Sequence, residues 1–127
     1  MYKITKKFSF DSAHLLWDET RTPIENANIF GKCANLPCHG HTYFVEIELE
    51  TLTLQNGMVR NFSELKDVFY NEVHSRFDHQ FLNEKVSFLT SAENLAKYIY
   101  DLIKIHFPEL KRVTVCETPT SSASYNE

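Results

Sequence analysis

Alternating apolar segments at both ends of the chain, with two amphipathic helical segments between them, predict an α+β fold. The expected architecture is an antiparallel sheet with two helices packed on one face. Residues 4–10 place Ile4, Phe8 and Phe10 on one parity, the period of a half-buried strand. Residues 42–54 alternate in the same way, Asn56-Gly57 supplies a hairpin turn, and residues 58–62 are expected to return as a strand. Ser63 can cap a helix over residues 64–77, where Leu65, Val68, Phe69 and Val73 recur at helical spacing. Thr90 and Glu93 have the form of a capping box for a second helix. Its buried stripe is Leu95, Ile99, Leu102 and Ile103, and Pro108 stops it. Strands over residues 112–117 and 121–125 close the chain. Residues 11–37 show weak periodicity and read as a long connection, a length that in small domains is usually functional.

A chain of 127 residues suits one domain, 1–127, with a real core. A formal net charge of −4 excludes the electrostatic footprint of a nucleic-acid binder. No apolar run reaches the roughly 20 residues that span a bilayer. The Met1–Lys7 segment lacks the apolar stretch of a signal peptide, so the expected location is the cytoplasm. Three cysteines cannot all pair, and in a reducing compartment a metal or a reaction is the commoner use of a thiol.

The chemistry concentrates in Cys33-Ala-Asn-Leu-Pro-Cys38-His39-Gly-His41. Residues i and i+2 of a strand share a face, so His39 and His41 can direct two imidazoles at one point. His14, just beyond the first strand, can join them if the two strands are neighbours. Three imidazoles with one open position is the pattern of a catalytic zinc. A closed structural site of Cys33, Cys38, His39 and His41 is the alternative, but His-x-His does not have finger spacing. Cys33 and Cys38 compete as the reactive thiol; a polar loop beside a cation favours the thiolate. Cys116, in Val113-Thr114-Val115-Cys116, is expected in the core. Asp78-His79 can form a proton relay or simply end a helix. Glu117, at a strand end, can accept two parallel N–H bonds from a guanidine-like ring edge. His74 and His106 are expected to be structural or solvated.

Together these segments resemble the 6-pyruvoyl-tetrahydropterin synthase / 6-carboxy-tetrahydropterin synthase family over nearly the whole chain. Phe10-Asp-Ser-Ala-His14 resembles its first zinc-ligand segment, and Gly31-Lys32-Cys33 with His39-Gly-His41 its nucleophile and ligand segment. Asn61-Phe62-Ser-Glu-Leu65-Lys66 resembles the entry to its first helix. Asp78-His79-Gln-Phe-Leu82-Asn83 resembles its relay, and Thr90-Ser91-Ala92-Glu93-Asn94 and Glu117-Thr118-Pro119-Thr120 its pterin-binding segments.

The resemblance implies a tunnelling fold, with sheets joined between subunits into a barrel, and a homohexamer with active sites at subunit boundaries. It implies 7,8-dihydroneopterin triphosphate as substrate and Zn2+ held by His14, His39 and His41. It implies Cys33, Asp78 and His79 as catalytic residues, and Ser91 and Glu117 as substrate-binding ones. Glu117-Thr-Pro-Thr120-Ser121, Tyr125 and Ala92-Glu-Asn-Leu-Ala-Lys97 are similar to the 6-carboxy branch, which serves queuosine biosynthesis. Phe30-Gly-Lys-Cys33 and the five residues between Cys33 and His39 are similar to the 6-pyruvoyl branch. Cleavage to 6-hydroxymethyl-dihydropterin ranks third, because variants of that kind carry glutamate in place of Cys33. A pterin- or zinc-binding module without turnover is the non-enzyme alternative.

Overall fold

The computed structural model describes residues 1–127. Its centre is a long antiparallel ladder between β1 (Tyr2–His14) and β2 (His39–Thr51), in register from Tyr2 opposite Thr51 to His14 opposite His39. β1 therefore runs past the expected end at Phe10 and carries His14 as its last residue. β4 (Leu110–Thr118) pairs antiparallel with β2, and β5 (Ser121–Tyr125) with β4. β3 (Gln80–Phe81) adds two residues parallel to β1, so the sheet, ordered β3-β1-β2-β4-β5, is mixed rather than purely antiparallel.

Side-chain parity divides this sheet cleanly. Phe8, Phe10, Tyr43, Val45, Ile47, Leu49, Val113 and Val115 face inward and are buried. They pack against Leu65, Phe69, Val73 and Phe77, and against Leu95, Ala96, Ile99 and Ile103 of α4 (Ala92–Lys104). Phe8 stacks on Phe69 with centroids 4.4 Å apart. Burying each such side chain contributes about 1.5–3 kcal/mol. The opposite face carries Lys7 against Glu46 at 3.9 Å and Lys3 against Glu48 at 3.4 Å, with Phe44 about half exposed. Cys116 stands opposite Phe44 on this outer face, so the expectation that it lies in the core is wrong. Val113 and Val115 are the core residues of that strand, and Cys116 has the other parity.

The helical run over residues 62–77 forms as α2 (Phe62–Phe69), a π-helical turn (Tyr70–His74) and α3 (Ser75–Phe77). It starts at Phe62 because Asn61, not Ser63, is the cap, its side chain accepting from the Ser63 N–H at 2.9 Å. That cap removes the strand expected over residues 58–62. Asn56 and Gly57 do turn the chain, both with positive φ, but only Gln55 and Met58 bridge across it. The expected capping box at Thr90 is also displaced: Ser91 caps α4, accepting from the Asn94 N–H at 3.2 Å.

Residues 11–37 are not a bare connection. They contain the end of β1 and α1 (Pro23–Phe30), closed by a true capping box between Thr22 and Glu25. The apolar pattern is faint because only Asn26 of this helix is buried. Its amide ties the helix start to the preceding loop through Asp18, Arg21 and Thr22. Gly31 ends α1 with φ of 59°, a conformation costly for other residues, and turns the chain into a 3-10 turn (Gly31–Ala34) that carries Cys33.

Candidate metal centre and active site

The inward face of β1 and β2 changes character at one end. Beyond Phe10 and Tyr43 the next pairs are Ser12 opposite His41 and His14 opposite His39. Directly opposed residues of an antiparallel pair share a face, with Cβ atoms about 4.5–5.5 Å apart. The register thus brings His14, His39 and His41 together, with ligand nitrogens all within 4.8 Å of one another. His14 Nε2 lies 2.9 Å from His39 Nε2.

The donor set fits a metal. His14 is fully buried and its Nδ1 sits 2.7 Å from the Thr90 carbonyl. Donation of Nδ1–H to that oxygen leaves Nε2 as a lone pair aimed at the other two rings, the tautomer a metal ligand needs. His41 Nε2 and His39 Nδ1 are buried without any protein partner. Burial, opposed in part by the Thr90 bond and reinforced by the neighbouring His39 and His41, holds His14 down at about 4. Burial, then the charge of His41, also lowers His39. Neutral imidazoles at physiological pH are what a cation requires.

Glu117 follows Val113 and Val115 in parity on β4 and enters this cluster, its Oε1 4.0 Å from His14 Nε2. Cys33 approaches from the other side of the chain. Its carbonyl accepts from the Leu16 N–H at 2.9 Å, which pins the Cys33 turn to the residues just after His14. Its thiol is free and partly buried, whereas Cys38, beside His39, is exposed. Ser91 lies next to Thr90 but uses its hydroxyl as the cap of α4.

Asp78 and His79 are elsewhere. Asp78 accepts from the Asp11 N–H at 3.0 Å, and His79 N–H donates to the Asp11 carbonyl. The Asp11 side chain has the outward parity and accepts from Thr42. The dyad itself is formed, with His79 Nδ1 2.8 Å from Asp78 Oδ2. The Asp11 amide, then the His79 ring, keep Asp78 below the usual carboxylate range, and Asp78 in turn raises His79. His79 is 78% exposed and held at φ of 57°, a left-handed conformation that costs a non-glycine residue roughly 1 kcal/mol. His79 and the triad's His41 both line one open cleft of about 580 Å³, with Asp11, Ser12, Ala13, Gly40, Thr42, Gln80 and Phe81. The dyad's own hydrogen bonds run to Asp11, not to the three histidines.

Several site groups escape the sequence reading. His74, expected to be structural or solvated, lies 3.5 Å from Asp78 on the dyad's other flank. The Thr90 carbonyl and the Asn83 amide, which bonds both the N–H and the C=O of Leu15, hold the end of β1 in place. Tyr43, two residues beyond His41, is fully buried and its hydroxyl has no partner. Burial, then the charges of Glu117 and Cys33, drives its ionisation far above the ordinary phenol range. The i+2 parity that links His39 to His41 also points to Tyr43; backbone carbonyls and amide clamps leave no such pattern.

The chain as a whole matches known proteins. Residues 3–127 match the family described as 6-pyruvoyl tetrahydropterin synthase. A 6-pyruvoyl tetrahydrobiopterin synthase of Drosophila melanogaster is 36% identical over 96% of this chain and 77% of its own. A 6-carboxy-5,6,7,8-tetrahydropterin synthase of Haemophilus influenzae is 34% identical over 100% of both chains. The solved 6-pyruvoyl tetrahydropterin synthase of Caenorhabditis elegans superposes with a TM-score of 0.90 at 30% identity, covering 99% of this chain and 95% of that one. The chain belongs to the 6-pyruvoyl tetrahydropterin synthase family.

Proposed function

We propose that the protein is a zinc-dependent 6-carboxy-5,6,7,8-tetrahydropterin synthase. It takes 7,8-dihydroneopterin triphosphate and water to 6-carboxy-tetrahydropterin, acetaldehyde and triphosphate. The observation that carries an enzymatic reading is the convergence of His14, His39 and His41 with Glu117, beside the Cys33 turn. The end-to-end match with the Haemophilus influenzae synthase supports the 6-carboxy product. So does the Glu117-Thr-Pro-Thr120-Ser121 segment with Tyr125.

In this reading His14, His39 and His41 hold the zinc through neutral imidazoles. When bound, the ion acidifies side-chain hydroxyls of the substrate and polarises the carbonyl that develops there. Glu117 accepts two N–H bonds from the pterin edge and fixes the ring. Cys33 acts as general base and moves protons on the substrate side chain. Asp78 and His79 form a second acid–base pair, His79 holding its proton because Asp78 raises it. Triphosphate leaves by elimination. The dyad stands at the β1 edge of its sheet, where β3 covers only two residues, and in this reading it serves a triad on an adjoining subunit. This supports the homohexamer in which sheets close into a barrel, with the open edges of β1 and β5 paired between subunits.

The 6-pyruvoyl product is the second reading. It is favoured by the five residues between Cys33 and His39 and by the likeness to the Drosophila protein. Mass spectrometry of the products from zinc-loaded protein and 7,8-dihydroneopterin triphosphate separates the two. Stoichiometric acetaldehyde with 6-carboxy-tetrahydropterin is the expected result. A 6-pyruvoyl product without acetaldehyde selects the second reading, and an unconsumed substrate selects a binding module.

A further inference from the structure

The Tyr43 hydroxyl is the one unpartnered buried polar group of the site that the reaction above does not use. The ring cannot turn away. It stacks on Phe10 at 5.1 Å with an interplanar angle of 18°, and stands edge-on to His41 at 5.4 Å and His14 at 5.9 Å. A buried hydroxyl without a partner destabilises the free protein, so its position needs an acceptor that arrives with the occupied site.

Glu117 is that acceptor. The ladder pairs Val45 with Val115 and ends at Phe44 with Cys116, which leaves Tyr43 and Glu117 as the next residue of each strand, both of inward parity. The β4–β5 ladder is irregular between Cys116 and Thr118, so Glu117 sits on a locally re-aimed backbone. In the ligand-free chain its carboxylate lies 4.0 Å from His14 Nε2, outside hydrogen-bond reach.

We propose that Tyr43 is a positioning residue for the pterin anchor: its hydroxyl donates a hydrogen bond to the Glu117 carboxylate once metal and pterin fill the site. One carboxylate oxygen has lone pairs enough for the phenol and a ring N–H, so the bond orients Glu117 without displacing the pterin. The inference rests on the reading of Glu117 as that anchor.

The test is a double-mutant cycle on the zinc-loaded full chain, with 7,8-dihydroneopterin as the titrated ligand. Tyr43→Phe keeps the ring and removes the hydroxyl. It is expected to weaken binding about tenfold, with zinc content unchanged. Its ligand-free melting temperature should rise, because an unpartnered buried group is gone. Glu117→Gln should weaken binding further, and adding Tyr43→Phe to Glu117→Gln should cost nothing more. Wild-type affinity in Tyr43→Phe overturns the inference, as does a loss that simply adds to that of Glu117→Gln. So does a lowered melting temperature, which would mean the hydroxyl already had a partner. A wild-type chain that does not bind the pterin overturns the reading of the site itself, and this inference with it.

Discussion

His14, His39 and His41 stand on the central ladder of the sheet and face inward; Asp78 and His79 stand after α3, at the β1 edge of the sheet. The two clusters have opposite electrostatics for that reason. His14 is fully buried and its proton is driven off, which suits a cation. His79 is 78% exposed and its proton is retained by Asp78. The inward cluster is fixed by the same ladder hydrogen bonds that build the core. The edge cluster depends on Asp11, a positive φ and a two-residue parallel pairing. One chain therefore carries two clusters of opposite charge preference, one inside its sheet and one at the sheet's edge.

The inward half gives the largest expected effect. His41→Ala should abolish bound zinc, measured by elemental analysis, and reduce turnover by about 10³-fold or more. The circular dichroism should be unchanged, because the core packs further along the strands, around Phe8, Val45, Ile47 and Val113. A variant that unfolds would make the zinc structural and break the distinction between core end and site end.

Cys33→Ala should cost about 10²–10⁴-fold in turnover with one zinc per chain retained. Retained activity would transfer the thiol role to Cys38.

Asp78→Asn should cost less, about 10²-fold. It also tests whether the halves meet across subunits. Mixed, unfolded and refolded together, Asp78→Asn and His14→Ala chains should recover part of the lost activity, because a mixed boundary can join an intact dyad to an intact triad. No recovery would put both halves in one chain's site.

The triad was legible in the sequence because strand parity is a two-residue rule. His39 and His41 obey it, and extending β1 to His14 completes it through a register of 13 paired residues. Glu117 was legible by the same parity from Val113 and Val115, and Cys116 was misplaced by ignoring it. The helices were legible from their apolar stripes, but α1 was not, since a surface helix with one buried residue has no stripe. The place of Asp78 and His79 at the β1 edge was not legible either. It follows from the backbone turn after Phe77 and from a bond to Asp11 that is 67 residues away in sequence.

Acid stability sharpens the electrostatic side of the comparison. His14 titrates at about 4 when folded and 6.5 when unfolded. Between those values the unfolded chain binds a proton that the folded chain refuses. Metal-free protein should thus lose stability as the pH falls through that window, and this contribution should level off below it. His14→Gln should flatten the slope of melting temperature against pH. An unchanged slope would assign the acid sensitivity to His39, also held low by burial. The carboxylates held low, Asp78 and Glu109 among them, lose their contribution only as the pH falls below their unfolded values of 3.8 and 4.5.

The smallest effect concerns Ser91, which the family resemblance makes a substrate contact and the structure makes a helix cap. Removing a cap costs about 1 kcal/mol, so Ser91→Ala should lower the melting temperature by a few degrees. Aspartate caps as well as serine and also suits the positive end of α4. Ser91→Asp should therefore restore stability in full. If capping is the whole role, KM is unchanged in Ser91→Asp. If the hydroxyl also meets the substrate, replacing its O–H donor by a carboxylate that only accepts should raise KM while the fold stays as stable as the wild type. Stability and KM then move independently at one atom, and that separates a residue that builds the site from one that reads the ligand.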